Sequence, residues 1–382
     1  MKNVDRVLIL GAGVGGLGAA ALFAQHGADV TVLETKASAE ALGVGINQPA
    51  NSLRILRDIG VLDDLLPGGF TYDGMVFHDH HGEVVVATTS ALGGDVPANL
   101  GLSRSALARS LAGAAERAGA RIRYGTHAVD FQQDGETVLV TLVDGTRETY
   151  DLVVAFDGIK SATRQHLFGP NFDPQFTGFS VWRVTLPRPE SVDRCQLFHG
   201  VQTKAGMIPL SPTHMYLFVV TEEAGNPHFD PANYRSLLLD RLSEYTGIVK
   251  DMKEAIDDTC EIIYSPLSEV RVPAPWHVGR IVLGGDAVHA CAPHLTQGAA
   301  MALEDASVLV GLIDSDLTLD DALTAYAARR LPRVTLVADV SRGILQAEMS
   351  VTPDTHASSL DGLRKHLPER LAGVEAMLNQ PA

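Results

Sequence analysis

An α/β fold is predicted: a Rossmann-like domain, a β-sheet domain inserted into it, and helices at the C terminus. Three observations predict it. Near the start, an apolar run without alternation enters a glycine cluster and then an Ala- and Leu-rich stretch. In the middle of the chain, alternating segments rich in aromatic residues are punctuated by Asp-Gly pairs. Late in the chain, at 280–283, the unalternated apolar pattern returns ahead of a long apolar helix.

Taken in order, residues 7–10 suit a strand buried on both faces of a parallel sheet, because nothing polar interrupts them. Residues 17–25 read as a helix closed by Gly27, and 30–33 as the next strand, which completes a β-α-β unit. Residues 103–118 have helical periodicity with a serine at the start, and 121–124 follow as a strand. From 128 to 150 the pattern becomes hairpins, turned at Asp134-Gly135 and Asp144-Gly145. Residues 152–156 return to a buried strand. A second β-rich stretch, 178–221, places Trp182, Phe198, Met207, Tyr216 and Phe218 at half-buried-sheet spacing. Residues 297–312 form a long apolar helix, and the chain beyond Leu319 is helical with no chemistry assigned to it.

Composition narrows the classes of function. With 382 residues, 46% of them hydrophobic and 20% charged, the chain suits two or three soluble folded units. A net charge of −16 repels polyphosphates and anionic lipid, so nucleic acid is not an expected partner. Cys195, Cys260 and Cys291 are far apart, with no C-x-x-C pair, and read as reduced thiols; no metal is expected. Residues 1–6 carry no charged leader, and no apolar run reaches the length of a membrane span, so a cytoplasmic protein is expected.

Gly11-Ala12-Gly13-Val14-Gly15-Gly16 supplies a G-x-G-x-x-G fingerprint between a predicted strand and a predicted helix. Gly11 permits a tight turn, Gly13 lets backbone touch a pyrophosphate, and Gly16 lets helix and sheet pack closely; Gly15 is counted with them. The helix N-terminus adds free N–H groups and the positive end of its dipole. Glu34 ends the second strand, about 20 residues on, where a carboxylate accepts hydrogen bonds from an adenosine ribose. This pattern alone does not separate one adenine dinucleotide from another.

Two further segments do. Asp157-Gly158-Ile159-Lys160-Ser161-Ala162-Thr163-Arg164 follows the strand at 152–156. Gly285-Asp286-Ala287-Val288-His289, with Pro293 and Gln297-Gly298, leads into Ala302-Leu303-Glu304-Asp305-Ala306. With these motifs the chain resembles the single-component (group A) FAD-dependent aromatic hydroxylases, the flavoprotein monooxygenases that include 4-hydroxybenzoate, salicylate and hydroxynicotinate monooxygenases. The resemblance spans most of the chain from Val7 to about Arg330.

It implies a Rossmann-like FAD-binding domain of the GR2 type made of 1–72, 100–176 and 270–330. It also implies a β-rich substrate domain of 73–99 and 177–269, and a C-terminal helical segment of 331–382. Asp286 would hold the ribitol, and backbone from Pro293 to Gly298 would lie against the isoalloxazine, with a helix N-terminus aimed at its electron-rich edge. Arg104 would lie near the FAD phosphates or ribitol, and Asp157 near the pyrophosphate. Without the resemblance, Asp157 and Asp286 also read as N-caps and Arg104 as a surface helix residue. Phe156 and Thr296 depart from the family pattern, which has small residues there.

The activity implied is NADH- or NADPH-dependent reduction of FAD, reaction with O2 to a C4a-hydroperoxyflavin, and oxygen transfer to a small aromatic or heteroaromatic substrate. The pocket is expected between flavin and inserted sheet, lined from Trp182 to Tyr216 and by Pro293-His294-Leu295-Thr296. His294 is the candidate catalytic base, since a histidine's ordinary pKa suits removal of a phenolic proton. Asn47, in a segment expected as a loop, Arg183 and Tyr216 are the substrate-binding candidates, with His199 and His214 weaker; His289 is read as packing. A monomer or homodimer is expected. The alternatives are another FAD-dependent oxidoreductase of this fold (an epoxidase, reductase or antibiotic-inactivating oxygenase) and a non-catalytic dinucleotide-binding regulatory protein.

Overall fold

Val7, Leu8 and Ile9 are wholly buried because their strand, Arg6–Leu10, lies inside a six-stranded sheet covered on both faces. It pairs in parallel with Asp29–Glu34 on one side and Leu152–Ala155 on the other. Arg121–Tyr124 extends the first side; Ile281–Leu283 and then the antiparallel His277–Val278 extend the second. This computed structural model describes residues 4–38 and 44–382; residues 1–3, part of the N-terminal stretch expected to carry no leader, lie outside the described residues.

The fingerprint helix Val14–Gln25 packs against both Arg104–Arg117 and Gly298–Ile313. Ser103 caps Arg104–Arg117, its hydroxyl accepting from the Ala106 N–H at 3.1 Å. Ala128–Gln133, Val138–Leu142 and Arg147–Tyr150 form a small antiparallel sheet. Its turns are those the Asp-Gly pairs predict: Gly135 and Gly145 have φ of +94° and +83°, and each preceding aspartate accepts a backbone N–H two residues on.

A seven-stranded sheet runs Ile262–Glu269, Gln175–Pro187, His214–Glu222, Thr203–Pro209, Cys195–His199, Met75–Asp79 and Val84–Thr88, antiparallel except where Cys195–His199 meets Met75–Asp79. Side chains alternate across it. Trp182, Val184, Phe198, Met207 and Leu217 face the helices Tyr234–Arg241 and Gly247–Glu254, whereas Val181, Arg183, Tyr216 and Val220 face the other way. Trp182 therefore faces away from the two cavities beside the turn at Pro293–Leu295, contrary to the sequence expectation. Its indole Nε1 donates to Glu223 at 3.2 Å and Arg241 stacks 4.9 Å above the ring.

Phe70–Tyr72, Asn99–Ser103 and Gly45–Pro49 form a separate three-stranded sheet whose central strand packs at Gly101 against Pro209 of the seven-stranded sheet. Gly45–Pro49, expected as a loop, is thus a strand paired antiparallel with Asn99–Ser103. The chain closes with two long helices, Leu319–Met349 and His356–Leu378, the first continuous through residue 331. Arg330 on the first is fully buried and bonds Glu304 and Asp305, both at 2.7 Å, which neutralises two carboxylates on the otherwise apolar helix Gly298–Ile313.

Candidate active site

The glycine fingerprint is built by contact distances. Gly11 has φ +98°, and a Cβ there would stand 2.5 Å from the Phe156 carbonyl oxygen. A Cβ at Gly16 would stand 1.9 Å from the Gly11 carbonyl oxygen. Gly13 differs: a Cβ there meets nothing within 4 Å. Open space therefore lies in front of the first turn of Val14–Gln25, whose N-cap Gly13 makes no side-chain capping bond. Beside it, Glu34 accepts N–H groups from Ala12 at 2.8 Å and Lys36 at 2.9 Å. Burial raises this carboxyl, but those N–H donors outweigh it and hold the pKa below the ordinary value.

Phe156 has a physical account here. Its ring packs over three positions without side chains, lying 2.6 Å from a Cβ built at Gly15, 2.7 Å from one at Gly284 and 3.1 Å from one at Gly285. One large residue against three glycines joins the two motifs. Phe156→Ala is expected to lower stability by about 3–5 kcal/mol, measured by urea denaturation, because those glycines cannot fill the void.

Gly285, with φ +59°, caps the short helix Asp286–His289, so the N-cap alternative for Asp286 is not realised. Asp286 is solvent-accessible, with protein packed around it. Burial raises its pKa; His289 and Arg104 oppose that. His289 meets Asp305 at 2.5 Å, and Asp305 also accepts the Gly285 N–H at 2.8 Å, so this histidine anchors the turn.

Asp157 accepts the Thr163 N–H and hydroxyl at 3.1 and 2.8 Å through one oxygen, while its buried Oδ1 has no partner among the described residues. Ser161, not Asp157, caps the helix Ala162–Phe168. Arg164, the last residue of that motif, is buried and donates to the carbonyls of Ala287 and Ile159, tying the two motifs together. Arg104 donates to the Gly45 carbonyl at 3.2 Å and acts electrostatically on Asp286, Arg183 and Tyr216, so it is not a surface residue paired with water.

Pro293–Leu295 is a 3-10 turn ending at Thr296, whose φ of +54° is left-handed and unfavourable for a β-branched residue. Helix Gly298–Ile313 then starts with no side-chain cap, because Gln297 instead accepts from Asn51 at 3.0 Å. Asn47 donates to Asn99 at 3.0 Å and Thr296 at 3.4 Å; its buried Oδ1 has no partner.

Two adjoining cavities lie between this turn and the seven-stranded sheet, of about 80 and 590 Å³. The smaller holds Arg183, Tyr216 and Phe218; Met75, Cys195, Leu197, Lys204, His294 and Thr296 border both. Arg183 has no hydrogen-bonded or ion-paired partner among the described residues. Burial first, and then Arg104, push its pKa down to about 10, and burial pushes Tyr216 up to about 12.

The side chain of His294 is 1% exposed and stands 3.2 Å from Glu348, which in turn meets Lys204 at 2.6 Å. Burial and Lys204 lower the His294 pKa against the pull of Glu348, leaving the imidazole neutral. Of the weaker candidates, His199 lines the larger cavity, its pKa pushed down to about 4 by burial, while His214 is exposed at the end of its strand. Lys204 and Glu348 were not anticipated. Lys204 carries a faint signal, the one charge in its strand Thr203–Pro209; Glu348 shows that the helical region beyond Leu319 does carry a functional group, contrary to the sequence expectation.

The family model described as FAD binding domain matches residues 5–341. The 6-hydroxynicotinate 3-monooxygenase of Pseudomonas fluorescens is 30% identical over 376 residues, covering 89% of this chain and 91% of that protein. The 2-heptyl-3-hydroxy-4(1H)-quinolone synthase of Pseudomonas aeruginosa is 32% identical over 309 residues, 80% of each. In fold, the chain matches Klebsiella pneumoniae HpxO, solved with FAD and uric acid, with a TM-score of 0.87 over 98% of this chain and 96% of that one at 23% identity.

Proposed function

The chain belongs to the FAD binding domain family, as an FAD-dependent monooxygenase, and from that premise we propose that it uses NAD(P)H and O2 to hydroxylate a small heteroaromatic ring carrying an ionisable hydroxyl. The residues fit the cofactor. Open space before Gly13 suits a pyrophosphate, the unpartnered Oδ1 of Asp157 and the accessible Asp286 await sugar or phosphate-side donors, and the uncapped start of Gly298–Ile313 presents N–H groups. Bound FAD supplies the redox chemistry, accepting hydride from NAD(P)H and activating O2.

The observation that carries the ring specificity is a guanidinium without a partner among the described residues, Arg183, which with Tyr216 and the neutral His294 lines an 80 Å³ recess off the larger cavity, room for a ring substituent's oxygen rather than for the ring. Arg183 binds an anionic or carbonyl oxygen of the ring and Tyr216 donates to it. His294 Nδ1, which has no protein partner, takes the hydroxyl proton and makes the ring more nucleophilic. Asn47 orients a second polar substituent beside Thr296, and the apolar lining excludes water. Among the described residues no helix is long and apolar enough to cross a membrane. Cytoplasmic residence as a monomer or homodimer, and the division into a discontinuous FAD-binding domain, a β-rich substrate domain and a C-terminal helical segment, belong to this proposal.

Substrate is identified by screening phenols, hydroxypyridines and quinolones for accelerated NAD(P)H-dependent bleaching of the flavin. The expected product carries one atom of labelled oxygen from O2; a product with no label removes the proposal. His294→Ala is expected to retain FAD and lose about 100-fold or more in hydroxylation rate. In the native protein kcat/KM should fall only at pH below the ordinary histidine range, since the folded pKa is depressed and the neutral form is the active one. An unchanged rate and pH profile in the variant takes His294 out of the mechanism.

A further inference from the structure

The larger cavity continues past the ring site. It runs from His294, Lys204 and Thr296 between the sheet strands Met75–Asp79 and Cys195–His199 and the two C-terminal helices. Its 590 Å³ are shared: part lies against Asn47, Pro49 and the turn at Leu295, Thr296 and Gln297, where the flavin ring would sit, and the rest runs on along the two C-terminal helices.

The wall supplied by His356–Leu378 is one stripe. Leu363, Leu367, Leu371, Val374 and Leu378 recur at the spacing of a single helix face. Such a stripe on a core helix would be buried throughout. Here Leu378 alone of the five is; the other four are half-buried, because they face cavity and not protein.

The opposite wall comes from Leu319–Met349, through Val340, Ile344 and Ala347. Each helix also places a glycine on the cavity in its interior, Gly343 and Gly362, and a Cβ on either meets nothing within 4 Å. Glycine weakens a helix relative to alanine, and packing does not demand it at these positions. A side chain there would take up cavity space. Of the buried polar groups on the cavity, His294, Lys204 and Glu348 stand at the flavin-turn end, Glu375 is satisfied by the Ser90 hydroxyl and the Ala91 N–H, and His199 lies on the sheet wall, while His366 and Arg370 are exposed and mark the mouth.

We infer that the substrate is amphipathic: its aromatic head sits at Arg183 and His294, and a linear apolar tail lies along Leu363, Leu367 and Leu371 between the two C-terminal helices. The head placement rests on the ring-hydroxylation reading above. The tail site stands on the cavity itself, and so it can be tested with and without a ring.

The test is calorimetric titration of the FAD-loaded protein with two probe series, para-n-alkylphenols from methyl to nonyl and n-alkanols from butanol to decanol. Affinity in both series is expected to rise about fourfold per methylene until the stripe is covered. Gly343→Leu and Gly362→Leu, both favourable for helix, should flatten that dependence and leave para-methylphenol binding within about twofold of native. Alkylphenols that bind with no dependence on chain length overturn the tail site and leave the head reading standing. Alkanols that bind with length dependence, where no alkylphenol binds, uphold the tail site and overturn the head reading. Length dependence unchanged in both leucine variants, or no binding of either series, overturns the tail site.

Discussion

Gly13→Leu is expected to give a protein that folds with the stability of the native apoprotein and has lost FAD. The backbone at Gly13 is extended, with φ −75° and ψ −179°, which any residue adopts, and its Cβ direction is empty to 4 Å. Nothing in the folded chain resists the larger side chain. It projects into the space where the pyrophosphate would approach the helix N-terminus, so FAD affinity should fall at least about 100-fold, or roughly 3 kcal/mol.

Gly16→Ala is the contrast. Its single methyl would stand 1.9 Å from a backbone oxygen, so the turn itself must move, and both stability and flavin are lost, the former by at least about 2 kcal/mol. Gel filtration followed by the visible spectrum reads bound flavin, and thermal unfolding is compared without added FAD because the cofactor stabilises whatever it binds. A yellow Gly13→Leu protein would remove the pyrophosphate from this turn.

Glu348→Gln has the second large effect. Burial raises the Glu348 carboxyl, but Lys204 and His294 outweigh it and hold the pKa at about 2. The side chain of Lys204 is 5% exposed. Without the carboxylate a buried ammonium stands alone, which costs about 3–5 kcal/mol.

The sign of the pH dependence follows from the depressed folded value. The unfolded carboxyl titrates near 4.3, so the stabilisation is complete above that pH and disappears as pH falls from there through about 2. Urea denaturation should show the gap between native and Glu348→Gln proteins at neutral pH and its narrowing below about pH 4. The double variant Lys204→Met, Glu348→Leu should recover most of the stability, since replacing both charges by apolar side chains removes the unpaired ion. Hydroxylation should not recover with it; if it does, the pair serves packing alone.

These two predictions sit on opposite sides of what could be read before the fold was known. Gly13 was legible because its requirement is local: a strand, a turn and a helix within a few residues. The cap at Ser103 was legible for the same reason, whereas Asp286 was singled out only through the family resemblance. Glu348 was not, because its meaning depends on Lys204 and His294, which stand on another sheet and another turn far away in the chain. Trp182 failed differently. Alternation correctly put it in a half-buried sheet, but which face the helices Tyr234–Arg241 and Gly247–Glu254 would cover is a matter of tertiary packing, and they cover the face that carries Trp182.

The amino-acid sequence by itself determined the strand-glycine-helix turn, since short-range backbone geometry decides it, while the class of cofactor was legible only through the resemblance carried by the motifs at 157–164 and 285–306. Tertiary structure alone decided that Phe156 is accommodated by glycines from two motifs, that Arg183 is left without a partner among the described residues, and that two terminal helices wall a cavity running on from the turn at Pro293–Leu295. The physical reason is range: a turn closes over a few bonds, whereas a cavity exists only where elements distant in sequence fail to fill the volume between them.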